Sequence, residues 1–140
     1  MANVILVGVD GSESSRRAAR RAAELAVSMG AELHVLTAVD KATVEEIPDR
    51  PGATGVTSGE AAEAIAAQAA TEVRSVVPTV ASRPLQGKPA TALVDEAIRL
   101  DACLIVVGNR RVQGVGRILG SVATSVAAHA PCDVYIVKTV

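Results

Sequence analysis

The sequence predicts a single-domain α/β fold, a doubly wound five-stranded parallel sheet with helices on both faces. Two features of the chain lead there. Short, uniformly apolar runs such as 3–9 (NVILVGV) suit strands buried on both faces. These runs alternate with segments of helical period, so each strand-to-strand connection carries a helix and the strands run parallel. The length, 140 residues, is that of one domain, able to bury roughly 68% of its extended surface.

The elements follow in order. Strand one ends at Asp10-Gly11-Ser12, where Ser12 is a good helix N-cap. The first helix runs to Met29, with Ala18, Ala22, Leu25, Ala26 and Met29 on one face, and Gly30 ends it. Strand two spans 32–39. Residues 40–58 hold Asp40, Glu45, Glu46, Asp49 and two prolines, and read as a mobile lid or surface loop. Thr57 and Glu60 have capping-box spacing ahead of an alanine-filled helix over 60–76, with Pro78 beyond it. A third strand, 80–86, is interrupted by Arg83 and Pro84. Proline cannot donate to a ladder, which puts this strand at a sheet edge. Gly87-Lys88-Pro89 opens the third helix, which ends near Leu100. Strand four covers 103–107 with Gly108 at its tip. A loop over 109–119 follows, then a helix from Gly120-Ser121 to His129, and a last strand over 133–137.

Composition narrows the function classes. There are 26 alanines, 22 valines, one tyrosine and no Phe or Trp, so the core is aliphatic. The formal net charge is -1, and a nucleic-acid binder with a basic face or aromatic stacking platforms is not indicated. No apolar run reaches the length of a membrane span. The opening MANVILVGVD goes straight into a strand with no basic leader, so export is not expected and a cytoplasmic location is. Cys103 and Cys132 read as two buried, reduced thiols; a redox pair at the starts of neighbouring strands is the other reading.

Ligands of doubly wound sheets bind beyond the carboxyl ends of the strands, where the strand order reverses. The tips there are Val9-Asp10-Gly11, Ala38-Val39-Asp40, Gln86-Gly87 and Gly108-Asn109-Arg110. The strongest signal is the last. The 109–119 loop has eleven residues and carries Gly114, Gly116 and three arginines, Arg110, Arg111 and Arg117, with no acid. It leads into Gly120-Ser121-Val122 at a helix start. Free amides, a positive helix end, a hydroxyl and basic side chains together make a phosphate site; a glycine-rich turn with solvated arginines is the alternative. Asp10 could accept from a ribose hydroxyl, approach a phosphate-bound metal ion, or cap a turn or the first helix. Ser12 divides between capping and ligand contact in the same way.

Other sheet-tip chemistries fit poorly. The first turn, GVDGSESS, is neither a dinucleotide fingerprint nor a phosphate-binding loop ending in Gly-Lys-Ser/Thr, and no G-x-S-x-G elbow exists. His34 reads as a packed or edge histidine in strand two, and His129 as a helix C-terminal one. Two isolated histidines make no metal site. No catalytic constellation emerges.

The strand-one tip V-G-V-D-G-S, the L-H-V-L-T-A-V-D strand, the Gln86-Gly87-Lys88-Pro89 turn and V-V-G-N…G-R-I-L-G-S-V…H-A-P-C-D-V together resemble the universal stress protein family over essentially the whole chain. The resemblance implies strand order 3-2-1-4-5 and a homodimer formed through strand five, at Val134, Tyr135, Ile136 and Val137. An unpaired apolar edge strand there would be a liability. It also implies a stress-associated regulator that binds ATP, AMP or cyclic AMP with little or no catalysis. A dimeric interaction protein without nucleotide is the alternative, and a weak ATPase the third. Many members bind ATP through G-x2-G-x9-G-[ST]. By that likeness Asp10 would meet the ribose or metal region, Ala38 the adenine and Val107 the adenine side of the loop. Gly108, Gly120, Ser121 and Val122 would meet the ribose and phosphates. The chain departs from the motif at its middle glycine, which is Arg111 here, and only eight residues separate Arg111 from Gly120. Arg111 either replaces the lost amide contacts with charge-assisted bonds or fills the phosphate space.

Overall fold

The computed structural model describes residues 3–39, 58–109 and 120–138. The elements run β1 (Asn3–Gly8), α1 (Glu13–Met29), β2 (Ala31–Val39), α2 (Ser58–Val73), β3 (Val80–Gln86), α3 (Pro89–Leu100), β4 (Leu104–Gly108), α4 (Ser121–His129) and β5 (Asp133–Val137). All strand pairs are parallel, in the order β3-β2-β1-β4-β5. The expected 3-2-1-4-5 sheet is therefore the observed one. No helix among the described residues is long and apolar enough to cross a membrane.

The sheet separates two aliphatic layers. Ile5, Val7, Leu33, Val35, Leu104 and Val106 meet the alanines of α1 and α2 on one face. Leu6, Leu36, Ile105 and Val107 meet Leu93 and Ala97 of α3 and Ala123 and Val126 of α4 on the other. Alternation along each strand delivers side chains to both layers, which is why the strands read as unbroken apolar runs.

Helix α1 begins at the expected cap. Ser12 is extended, and its Oγ accepts from the Ser15 amide at 3.1 Å. It ends at Gly30, whose φ of 61° is the left-handed conformation that glycine adopts without a Cβ penalty. Its buried face is wider than the sequence suggests, because Ala19 and Ala23 are buried with Ala18, Ala22 and Ala26, whereas Met29 is 42% exposed. Met29 lies on the expected side of the helix, but it is the last helical residue, level with the strand starts at Asn3 and Ala31 where the sheet ends. Helix α2 stops at Val73 rather than 76, and a turn closed by the Val76 and Val77 amides on the Val73 carbonyl leads to Pro78. Thr57 and the 40–57 segment lie outside the described residues.

Strand β3 is an edge strand, as Pro84 requires, yet it runs unbroken through Arg83 and Pro84. Arg83 is used. Its guanidinium donates through Nε (2.9 Å) and Nη2 to Glu96 of α3 and through Nη1 to His34 Nδ1 at 2.9 Å. A guanidinium only donates, so Nδ1 of His34 accepts and its Nε2–H donates to Glu32, also at 2.9 Å. His34 is thus a satisfied structural histidine on β2. Arg99 closes the network on Glu96 at 2.5 and 2.9 Å. The hydrogen bond from Arg99, reinforced by Arg83 and opposed by burial, holds the Glu96 carboxyl at about 2, below its ordinary 4.5. His129 Nδ1 donates to the Ser125 carbonyl at 2.9 Å in the last turn of α4.

Among the described residues one buried side-chain polar atom has no partner. Thr37 is 5% exposed, it pairs with Pro84 across the β2–β3 ladder, and its Oγ1 makes no hydrogen bond. By strand alternation it points with Leu33 and Val35 into the α1–α2 layer. Valine keeps the branched shape and removes the stranded hydroxyl, so T37V should raise unfolding stability by about 1 kcal/mol in urea titrations. Glu96 supplies a pH signature. Its folded-state value lies below the unfolded one, so its contribution is full above about pH 4.5 and fades as pH falls through about 2. E96Q should cost roughly 1.5–3 kcal/mol at neutral pH. It should also flatten the stability loss that the unmodified chain shows between those two pH values, measured by denaturation at successive pH.

Candidate functional site

In this strand order the connections leave β1 and β4 in opposite directions, so the carboxyl ends of these two neighbours flank a crevice. A cleft of about 320 Å³ lies there. Its floor is formed by the strand tips, Gly8, Val9, Val107 and Gly108, with Leu36 and Ala38 from β2 and Leu85 from β3. One wall is the start of α1, with Asp10, Ser12, Ser14 and Ser15; another is the start of α3, with Pro89, Ala92 and Leu93. The start of α4, Gly120 to Ala123, completes it.

Three helix N-termini therefore open onto one space, which follows from parallel strands joined by helices. The α1 corner is tied by a compact knot of hydrogen bonds. Asp10 Oδ1 accepts from the Ser12 amide at 2.9 Å, and Ser15 Oγ donates to the Ser12 carbonyl at 2.9 Å while accepting from the Asp10 amide at 3.2 Å. Asp10 is held in a turn by its own carboxylate, and Ser12 acts as a cap. Both structural roles weighed from the sequence are present. Neither removes the residue from the cleft, because Asp10 remains exposed and is the one acid among the described lining residues.

Close approach sets the shape of the floor. A Cβ on Gly108 would stand 2.9 Å from Ser14 Oγ and 3.1 Å from the Ser14 carbonyl oxygen, so only glycine lets α1 pack against the β4 tip. On Gly8 a Cβ would meet Leu93 Cδ1 at 2.8 Å, so α3 leans directly over β1. At α4 the N-cap is Gly120, which has no side chain to satisfy the first-turn amides, and those amides have no intrahelical acceptors. The Gly120 amide itself donates to Asn109 Oδ1 at 3.0 Å.

Of the residues singled out from the sequence, Val9, Asp10, Ser12, Ala38, Val107, Gly108, Gly120, Ser121 and Val122 all line this one cleft. Arg110, Arg111, Gly114, Gly116 and Arg117 lie outside the described residues. The sequence reading missed Gly8, Ser14, Ser15, Leu36, Leu85, Pro89, Ala92, Leu93 and Ala123. Ser14 and Ser15 could have been found, since they occupy the first turn after a strand tip. Leu93 could not, because only the packing of α3 over Gly8 brings it in. Tyr135, the only aromatic residue, is on β5 and does not line the cleft.

The cysteines stand apart from this site. Cys103 and Cys132 are free and half-buried rather than fully buried, at the starts of the paired strands β4 and β5. The Cys103 thiol donates to the Val4 carbonyl at 3.4 Å and packs against the α1–α2 layer, whereas Cys132 packs against the other layer. Burial, then the neighbouring Cys103 and Asp133, push the Cys132 thiol upward, away from a reactive thiolate.

Comparison with known proteins agrees with the architecture. A universal stress protein of Thermus aquaticus is 37% identical over 144 residues, covering 99% of this chain and all of the relative. One from Mycobacterium tuberculosis is 35% identical over 145 residues, covering 96% and 95%. A solved universal stress protein in complex with cAMP superposes with a TM-score of 0.78 at 34% identity, covering 99% of this chain and 98% of that one. The model of the universal stress protein family matches residues 1–138, and the chain belongs to that family.

Proposed function

We propose that the chain binds an adenine nucleotide in the cleft between the β1 and β4 tips and acts as a stress-associated regulator rather than a turnover enzyme. The observation that carries this reading is the cleft's division into two chemistries. Leu36, Ala38, Leu85, Leu93 and Val107 give an aliphatic part suited to a base. Asp10 and the α4 start give a polar part suited to ribose hydroxyls and phosphate. The cAMP complex of a relative at 34% identity supports the same ligand class. Asp10 is the residue that would reach a nucleotide-bound Mg ion if one accompanies ATP. Among the described lining residues there is no histidine and Asp10 is the one acid, so these residues offer no acid–base pair for hydrolysis.

The homodimer belongs to the same proposal. Strand β5 is a sheet edge, with Val134 and Ile136 half-buried and Tyr135 37% exposed, and a second copy pairing there would cover it.

Nucleotide-free protein titrated calorimetrically with ATP, AMP and cyclic AMP should bind at least one with sub-millimolar affinity; no binding of any of the three sinks the proposal and leaves the dimeric interaction protein in its place. D10N keeps an acceptor for the Ser12 amide and removes the charge, and should weaken nucleotide binding about tenfold without unfolding the turn. Arg111 gives a separate test. If it contacts phosphate, R111A weakens binding and reduces its salt dependence; tighter binding by R111G would show instead that the side chain fills phosphate space.

A further inference from the structure

Asn109 has no role in the site as described so far, yet it directly follows Gly108 of the cleft floor and bonds to Gly120 at its α4 wall. Gly108 before it has no room for a side chain, because Ser14 lies 2.9 Å from where its Cβ would be. Asn109 is therefore the first residue at the β4 tip that can reach outward. Its backbone amide donates to the Val137 carbonyl at 3.1 Å, which extends the β4–β5 ladder by one rung and fixes the residue's direction. Its side chain spans eleven positions of sequence to accept the Gly120 amide at 3.0 Å. The donor is a backbone N–H, so the acceptor is the amide oxygen, and the orientation of the side-chain amide follows.

The consequence falls on α4. Glycine at its N-cap leaves the helix start without a cap from its own side chain and joined to the loop through the residue type with the widest backbone freedom. The bond from outside removes that freedom. It uses the Gly120 amide and leaves those of Ser121, Val122 and Ala123, which have no intrahelical acceptor, at the cleft side of the helix start. We propose that Asn109 is a positioning residue: its side-chain oxygen pins Gly120 and thereby sets the first turn of α4 in place for the phosphate of the bound nucleotide. The assignment rests on the nucleotide reading for its ligand. A neutral acceptor suits the place, because a carboxylate would make the same bond while setting a negative charge beside the phosphate.

The test pairs a measurement without ligand and one with it. Amide hydrogen exchange on the ligand-free chain reads the Gly120 N–H directly. It should be protected in the unmodified protein and in N109D, and exchange at least tenfold faster in N109A. Titration with AMP and with adenosine then separates phosphate from the rest of the ligand. N109A should weaken AMP about fivefold and leave adenosine unchanged. N109D, with Gly120 still protected, should also lose AMP affinity while retaining adenosine. Equal Gly120 exchange in N109A and the unmodified chain overturns the assignment, as does an equal loss of AMP and adenosine, which would mark a general structural role. If the unmodified chain binds neither compound, the nucleotide reading fails and the phosphate role falls with it, whichever way the Gly120 exchange comes out.

Discussion

Everything in this fold depends on how closely helices approach a sheet that is covered on both faces. The strands offer Val, Ile and Leu to both layers, and α1 and α2 return alanines. Small residues at the contact let a helix axis come near the strands, where dispersion is strongest and water is absent. The approach is close enough at the β4 tip that Gly108 has no space for a methyl group next to Ser14. The scarcity of aromatic residues is part of the same constraint, since a ring under α1 would lift the helix away from the sheet. With α1 lifted, Ser14 and the Asp10–Ser12–Ser15 knot would no longer stand beside Val107 and Gly108, and the cleft would open into a groove.

The charged network on α3 does complementary work on the opposite layer. Glu96 is nearly buried and bonds to Arg83 on the edge strand and to Arg99 on its own helix. Exposed surface pairs such as Arg21–Glu24 contribute little, because water screens both partners. Glu96 differs in being desolvated and multiply bonded, so losing one partner would leave a buried charge. The network fixes α3 against β2 and β3, and α3 carries the Pro89, Ala92 and Leu93 wall. The cleft is thus framed by alanine packing on one side of the sheet and by a charged clasp on the other.

Local signals were legible in the sequence, and long-range ones were not. Ser12, Gly30 and Pro89 mark helix ends through their own backbone preferences, and each stands where expected. Pro84 identified an edge strand through the ladder bond it cannot donate. Nine of the residues assigned to the site meet in one cleft because parallel topology sends every strand tip to the same edge. Arg83 was read only as an interruption, because its partners Glu96 and His34 are 13 and 49 positions away. Leu93 entered the cleft, and Met29 left the core, for the same reason: periodicity gives the face of a helix but not how far its neighbours extend beneath it.

The lack of aromatic side chains bears on recognition as well as packing. A purine in this cleft would rest on Leu, Val and Ala surfaces, which supply dispersion but no stacking geometry and no discrimination between bases. Selectivity would then fall to groups that can hydrogen-bond in fixed directions. Near the proposed phosphate end these are largely backbone amides, whose directions are set by helix placement. Residues that hold helices still, Gly108 by its absence of a side chain and Asn109 by its bond to Gly120, would then govern recognition as strongly as residues that touch the ligand. In a cleft built this way, binding and packing would be the same problem, and a substitution that shifts α1 or α4 by a fraction of an ångström would act on a ligand without contacting it.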